Sequence, residues 1–535
     1  MHLKTVWILL CMTLVFSFSS LYAKQHTGEF RKFDPGLISE RIPNTQLRVH
    51  KIGKVQMSIT NYGYFGSQLE NSFIDPETGQ IAPSCQYPFR SDKEHLFQGA
   101  LWVGAIVSGD TLVSVGTDGW QHIQEMYPDS GLSGAIIKRS AVPNHPDYDP
   151  KAISDIDYVA TFYDTLTDQQ YVAHDPVDNR PHLPLGLKIR QESYSWADPD
   201  FDDFIIFRYI LTNIGDNHLE DAYIGLYFDC DVLYRTYSSN ELGFGDDVSG
   251  HIITQDSCTG ENINIAWSAD NDGEPTGGFW SSESVQSTFG VSLLDFPGQS
   301  QLSFNWWVSE QYQPELYDWG PMKQENYRDF GTGGMGTPEG DKNKYYLMSN
   351  GEHDYDQMFC GIDHTSEGWF PPPADALVNR IAGGYDTRFL FSFGSFDLMP
   401  SDSLEFSFVV ALGNNLHQYP DAFSNLYDSD NPQLFYEALY FYNLVNTVMA
   451  AREKFTMLGL YTCGDFNRDG NISITDVVSI INYVFLNKTP CYGQENDDYN
   501  CDDTLNMVDI IYLINYLFRG GDSPCDPDGD GEPEC

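Results

Sequence analysis

Asp465-Phe466-Asn467-Arg468-Asp469-Gly470-Asn471-Ile472-Ser473-Ile474-Thr475-Asp476 recurs 33 residues later as Asp498-Tyr499-Asn500-Cys501-Asp502-Asp503-Thr504-Leu505-Asn506-Met507-Val508-Asp509. Each copy runs into an apolar segment, Val477 to Leu486 and Ile510 to Phe518. The register holds there too: Asn482-Tyr483 returns as Asn515-Tyr516 and Phe485 as Phe518. A hard divalent cation takes roughly six to eight oxygens, which an acidic loop supplies from its positions 1, 3, 5, 7, 9 and 12. In the first copy those positions are Asp465, Asn467, Asp469, Asn471, Ser473 and Asp476. In the second they are Asp498, Asn500, Asp502, Thr504, Asn506 and Asp509. Position 7 needs only its backbone carbonyl, so Asn471 and Thr504 are free to vary. Calcium is therefore the expected cofactor. One such loop could be a plain acidic turn; two in register, each followed by a helix-length apolar run, argue against that. Gly470 provides the sharp turn at position 6, where the second copy has Asp503. Asp tolerates positive φ less well than Gly, which makes the second site the weaker one.

The pattern Asp-x-Asn-x-Asp-Gly-x-Ile-x-x-x-Asp closes on Asp rather than the Glu of an ordinary EF-hand. In this it resembles the type I-like dockerin family, whose two calcium loop-helix repeats bind a cohesin domain on a partner. The resemblance covers about the last seventy residues. It implies a small α-helical domain with two EF-hand-like calcium loops over residues 461–525. Departures are Asp503 for Gly, Cys501 inside the second loop, and Ile474-Thr475 and Met507-Val508 where a Ser-Thr pair is expected. The missing Ser-Thr pair bears on the partner rather than on calcium. The helices are apolar nearly all round, through Val477, Val478, Ile480, Ile481, Tyr483, Val484 and Phe485. Two helices cannot bury that much between them, so a further surface is implied: a cohesin-like partner, or the chain's own body.

Lys4 precedes an apolar run from Thr5 to Phe18, and Ala23 follows, which reads as a secretory signal peptide over residues 1–23. The run is shorter than the ~20 residues of a spanning helix, so no membrane span is expected after cleavage. The formal charge of −48 repels nucleic acid and anionic membranes and suits a secreted or cell-surface bacterial protein. Hydrophobic residues make up 41%, enough for real cores. Cysteines number ten including Cys11, an odd set after cleavage. Antiparallel helices would favour disulfides Cys463–Cys525 and Cys491–Cys501, leaving Cys535 over. In the body, Cys85, Cys230, Cys258 and Cys360 allow three pairings, among which the sequence does not choose.

The body reads as β. Short runs rich in Val, Ile, Tyr and Phe alternate with Gly, Pro, Asn and Asp. Examples are Lys54 to Tyr64, Ala100 to Val107 and Thr111 to Val115. Phe204 to Asn213 turns at Ile214-Gly215-Asp216-Asn217 and returns as Ala222 to Phe228. Arg388 to Phe393 pairs with Leu404 to Leu412 around Pro400-Ser401-Asp402-Ser403. The expected class is mainly β, one or two β-sandwiches followed by the helical module. A composition shift near Asp198 to Asp203 divides a β-rich region, 24–200, from a β-sandwich region, 201–430. A helix opened by Asn431-Pro432 and a linker fill 431–460, and 526–535 is an acidic tail. Phe204 to Thr212 and the segment ending at Ser403 weakly resemble uncharacterised secreted bacterial β-sandwich proteins. That likeness implies no activity.

Asp270-Asn271-Asp272-Gly273 is half a calcium loop, and Asp229 with Asp231, Asp246 with Asp247, and Asp198 with Asp200 are similar clusters. Acidic turns are the favoured reading of each. Gly331 to Gly336 fits GxGxxG but lacks the flanking strand and helix of a dinucleotide site. Trp306-Trp307 and Trp369-Phe370 could stack on sugars, though core packing is favoured. With 77 acidic residues no catalytic pair stands out, and Glu192, Glu241 and Glu367 have no special claim. The leading reading is a secreted protein that docks through its calcium module, with a structural or adhesive body. The alternatives are a polysaccharide-degrading glycosyl hydrolase carrying that module, or a carbohydrate-binding protein. Neither rests on a catalytic constellation.

Overall fold

The computed structural model describes residues 42–69, 72–119, 123–235, 245–256, 260–273, 280–297, 300–309, 318–326, 337–458, 464–466, 472–486, 498–502 and 504–521. All fall in one compact unit, Glu40–Cys535. The expected signal peptide lies outside them.

Two large antiparallel sheets form the body. The first runs Leu233–Tyr234, Lys93–Glu94, Cys85–Gln86, Gln56–Thr60, Tyr64–Gly66, Gln98–Val107, Leu219–Asp229, Thr387–Leu398, Gln301–Val308, with Leu47–His50 and Asp110–Val115 attached at its sides. The second runs Asp247–Gln255, Asn262–Asp270, Thr288–Asp295, Ser403–Gly413, Phe204–Asn213, Leu187–Ser195, Ile156–Tyr163, Tyr127–Pro128, with Ile137–Arg139 on Ile156–Tyr163. The sheets face each other through aromatic rings. Phe65 of the first meets Phe207 of the second at 5.2 Å, and Phe228 meets Phe289 at 5.2 Å.

Strand Phe204–Asn213 shows how residue type sets this packing. Ile205, Phe207, Tyr209 and Leu211 enter the inter-sheet core, while Phe204 and Ile206 enter a second core on the opposite face. A period of two on a strand covered on both sides reads as a nearly unbroken apolar run. Helix Tyr442–Met457 supplies that cover through Leu444, Val448, Ala451 and Phe455. It comes close because two strand positions beneath it are glycine. A Cβ on Gly290 would lie 2.7 Å from Leu444 Cδ1, and one on Gly413 2.5 Å from the Leu444 nitrogen. Helix Gly340–Ser349 covers the outer face of the first sheet, where Leu347 and Met348 pack with Trp102, Tyr227 and Trp307.

Three expectations need correction. The segments around Ile214–Asn217 and Pro400–Ser403 do not close hairpins. Phe204–Asn213 and Ser403–Gly413 lie in the second sheet, whereas Leu219–Asp229 and Thr387–Leu398 lie in the first. Both turns are crossings between sheets, laced side by side: Asn213 Nδ2 donates to the Asn217 and Leu398 carbonyls, and the Ser401 amide donates to the Asn213 carbonyl. Strands apolar on both faces carry no mark of which sheet they join. The composition shift at Asp198–Asp203 falls in the turn joining neighbouring strands Leu187–Ser195 and Phe204–Asn213, so chain on both sides of it builds one sandwich. The helix expected from Asn431 is broken into Gln433–Tyr436 and Tyr442–Met457. Between them the Tyr440 amide donates to the Leu416 carbonyl, and Leu439 pairs with His417.

The cysteine pairings of the body are also corrected. Cys85, Cys230 and Cys360 are free and buried. Cys258 lies outside the described residues. No described helix is long and apolar enough to cross a membrane.

Candidate calcium-binding module

The C-terminal module consists of helices Ile474–Leu486 and Met507–Arg519, each preceded by its acidic loop. Its core is self-contained: Phe466, Val477, Ile480, Tyr499, Ile510 and Leu513 are buried together, with Ile472 and Leu505, position 8 of each loop, packed against them. Phe466 and Tyr499 are the second residues of the two loops, so each loop is anchored beside its first carboxylate.

Position 12 of each loop folds back on the loop. Asp509 is fully buried; its Oδ1 accepts from the Tyr499 amide at 2.9 Å and the Asn500 amide at 3.3 Å, and its Oδ2 from the Asn506 amide at 2.8 Å. Asn506 in turn accepts from the Val508 amide, completing a capping box at the start of the helix. The first loop repeats the arrangement, with the Ser473 amide donating to buried Asp476 at 2.7 Å. Burial pushes the Asp509 carboxyl up, while those three amides hold it down.

Asp465 is buried at the entry of the first loop, whereas Asn467, Asp469, Asn471, Gly470 and Asp503 lie outside the described residues. In the second loop the Asn500 amide donates to Asp498 Oδ1, and the Thr504 carbonyl accepts from Asn506 Nδ2. Asp502 and Thr504 face solvent. Asn500 Oδ1, at position 3, is buried without a hydrogen-bond donor. An orphaned amide oxygen among carboxylates is a donor atom suited to a hard cation, so the described residues fit calcium. Cys501 adopts φ 61, a left-handed position that the sequence reading did not foresee, and it is disulfide-bonded. Its partner lies outside the described residues, as do Cys463, Cys491, Cys525 and Cys535.

The opposite faces of the helices remain exposed. Ile474, Val478, Ile481 and Phe485 form a stripe on the first, and Met507, Ile511 and Phe518 occupy equivalent places on the second. Val478 and Ile511 are each 51% exposed, Phe485 57% and Phe518 64%. The body leaves these residues uncovered.

The other candidates resolve mostly into structure. Trp306 and Trp307 are buried; Trp306 Nε1 donates to the Tyr355 carbonyl and Trp307 stacks on Tyr227. Trp369 is buried against Tyr355. Asp198 closes a turn onto the Asp200 amide. Glu192 bridges Arg190 and Arg208, Glu367 is exposed, and Glu241, Gly331–Gly336 and the acidic tail lie outside the described residues. Three acidic groups behave differently. Asp229 with Asp231, Asp246 with Asp247, and Asp270 converge on one place, joined by Asp386, which no local motif marked.

Residues 463–518 match the type I dockerin domain model. No curated protein matches the chain. Among solved structures, a polysaccharide lyase is matched at 8% identity and a TM-score of 0.22, over 70% of this chain and 33% of the lyase. An Escherichia coli K12 protein described as a putative aldose 1-epimerase is matched at 10% identity and a TM-score of 0.20, over 69% of this chain and 99% of that one. The chain thus spans about a third of the length of the lyase.

Proposed function

We propose that this chain is an exported bacterial protein whose dockerin-type module, residues 461–525, holds two calcium ions and docks a cohesin-like partner. The two ions would be held by Asp465, Asn467, Asp469, Asn471, Ser473 and Asp476, and by Asp498, Asn500, Asp502, Thr504, Asn506 and Asp509. The ions supply the positive charge that lets crowded oxygens share each loop. The residues then do two jobs. Asp476 and Asp509 tie the loop amides to the helix starts, and the helices present their free faces outward.

The observation that carries this reading is the duplicated apolar stripe. Ile474, Val478 and Phe485 match Met507, Ile511 and Phe518 across the repeat, on a module whose own core already uses the other faces. A duplicated face offers a partner two equivalent footings. The body acts as the rigid cargo or spacer of the assembly.

The test is calorimetric titration of the full chain with type I cohesin domains, in calcium and in excess chelator. Binding should weaken by about 100-fold or more in chelator, since losing the metal unfolds the docking face. Val478→Asp combined with Ile511→Asp should abolish binding while calcium uptake persists. Equal affinity in chelator, or an indifferent double variant, would refute the reading.

A further inference from the structure

The ends of four strands, two from each sheet, bring six aspartates together. Asp229 ends strand Leu219–Asp229 and Asp231 follows it; Asp386 immediately precedes Thr387–Leu398. From the second sheet, Asp247 opens Asp247–Gln255 just after Asp246, and Asp270 closes Asn262–Asp270. Asp247 and Asp270 are register partners, so their side chains share one face of that sheet. The cation facing this group is Arg388, whose Nε lies 3.2 Å from Asp229 Oδ1 and whose Nη2 lies 3.1 Å from Asp386. Gln98 Nε2 donates to Asp229 Oδ2 at 3.1 Å.

Arg388 pairs with Asp229 and Asp386 but not with Asp231 among the described residues. Elsewhere some of its buried acids have cationic partners, Asp118 with Lys344 at 2.8 Å, Glu94 with Arg235 at 3.1 Å and Glu125 with His182 at 2.9 Å, and others such as Asp157 and Asp164 are held by amide and hydroxyl donors. Asp231 is 9% exposed and accepts no hydrogen bond among the described residues. Asp247 is fully buried; its Oδ2 accepts from the Val232 amide at 3.1 Å, next to Asp231, but its Oδ1 has no donor. A buried carboxylate oxygen left bare beside other carboxylates points to a ligand.

We propose that this cluster holds a calcium site of the body, formed by Asp229, Asp231 and Asp386 at neighbouring strand ends of the first sheet, beside Asp247 of the second, which accepts from the Val232 amide. One carboxylate oxygen from each of the first three lies within 4.8 Å of the other two. Two oxygens on a common calcium at ~2.4 Å can be up to ~4.8 Å apart, so the spacing admits one ion. The donors are oxygens throughout, which selects a hard cation over zinc or copper. Arg388 then orients Asp229 and Asp386 from behind.

The site is independent of the docking module, and the experiment separates the two. Calcium per chain is measured by elemental analysis after equilibrium dialysis of the full chain. The same measurement is made on a full-length variant with both module loops disabled, Asp465→Ala, Asp476→Ala, Asp498→Ala and Asp509→Ala. The intact chain should hold roughly three ions and the loop variant roughly one. Adding Asp231→Asn, which keeps the shape of a side chain that accepts no bond, should remove that remaining ion; Asp386→Asn is the second such change, used if the first does not fold. An empty loop variant overturns the proposal, as does an ion that survives both substitutions. An intact chain and a loop variant that each hold one ion would refute calcium in the module and leave the body site standing.

Discussion

The module loops and the aspartate cluster of the body are both crowded with carboxylates, but they assemble them by opposite routes. Each loop draws its donors from twelve consecutive residues, and one helix start orients the last of them. The cluster draws from residues 229 to 386, through four strand ends that meet only once both sheets have formed. A local donor set can close as soon as its helix forms. A dispersed one is created by the fold. The first should therefore respond to one substitution as a folding defect of the module alone, and the second as a change in the whole sandwich.

The sharpest way to break that contrast is Asp509→Ala. It removes a predicted metal donor and strands the amides of Tyr499, Asn500 and Asn506. Loss of these bonds should cost ~3 kcal/mol or more, and a calorimetric melt in calcium should lose the module transition while the body transition stays in place. A shift of the body transition by the same amount would show that the two regions are not independent.

A control for the cluster is a buried acid that already has its cation. His182, beside Glu125 and Asp164, is raised to about 9 despite the opposing cost of its burial. A histidine raised in the folded state adds stability that is complete below its unfolded value near 6.5 and fades as pH rises through about 9. The urea midpoint should therefore fall between pH 6 and pH 9 by more in the native chain than in His182→Gln, a difference on the order of 2 kcal/mol. Parallel curves would mean that this pair does not stabilise the body.

The smallest effect lies between the two loops themselves. Asp503→Gly should tighten the second site a few-fold, about 0.5–1 kcal/mol, if position 6 there needs the conformation glycine adopts freely. Calorimetric calcium titration would read it, and unchanged affinity would place the difference between the loops elsewhere.

What could be read without the fold follows the same division. The loops, helices and apolar segments of the module carry their meaning within a dozen residues, and the type I dockerin match covers that segment. The strands were legible as β because Val, Ile, Phe and Tyr crowd short runs between turn residues. Their sheets were not: Thr387–Leu398 and Ser403–Gly413 look like a hairpin, yet each is apolar on both faces and they part into different layers. Asp229, Asp246 and Asp270 each looked like a plain acidic turn, and only long-range pairing turns such pairs into a cluster. Asp386, next to no other acid in sequence, carried no local signal. Trp306 and Trp307 could have been surface platforms; alternation sends them to opposite faces of Gln301–Val308, and both faces are covered.

The thiols divide the molecule along another line. Burial pushes Cys360 up to about 12 and holds Cys85 and Cys230 well above the ordinary thiol range, so these sulfurs stay inert, whereas Cys501 in the second loop is already oxidised. The described cysteines of the sandwich offer a mild reductant nothing to cut. Reducing surroundings would open the covalent tie at Cys501 and leave the described thiols of the sandwich as they are, a redox sensitivity confined, among the described cysteines, to the second loop.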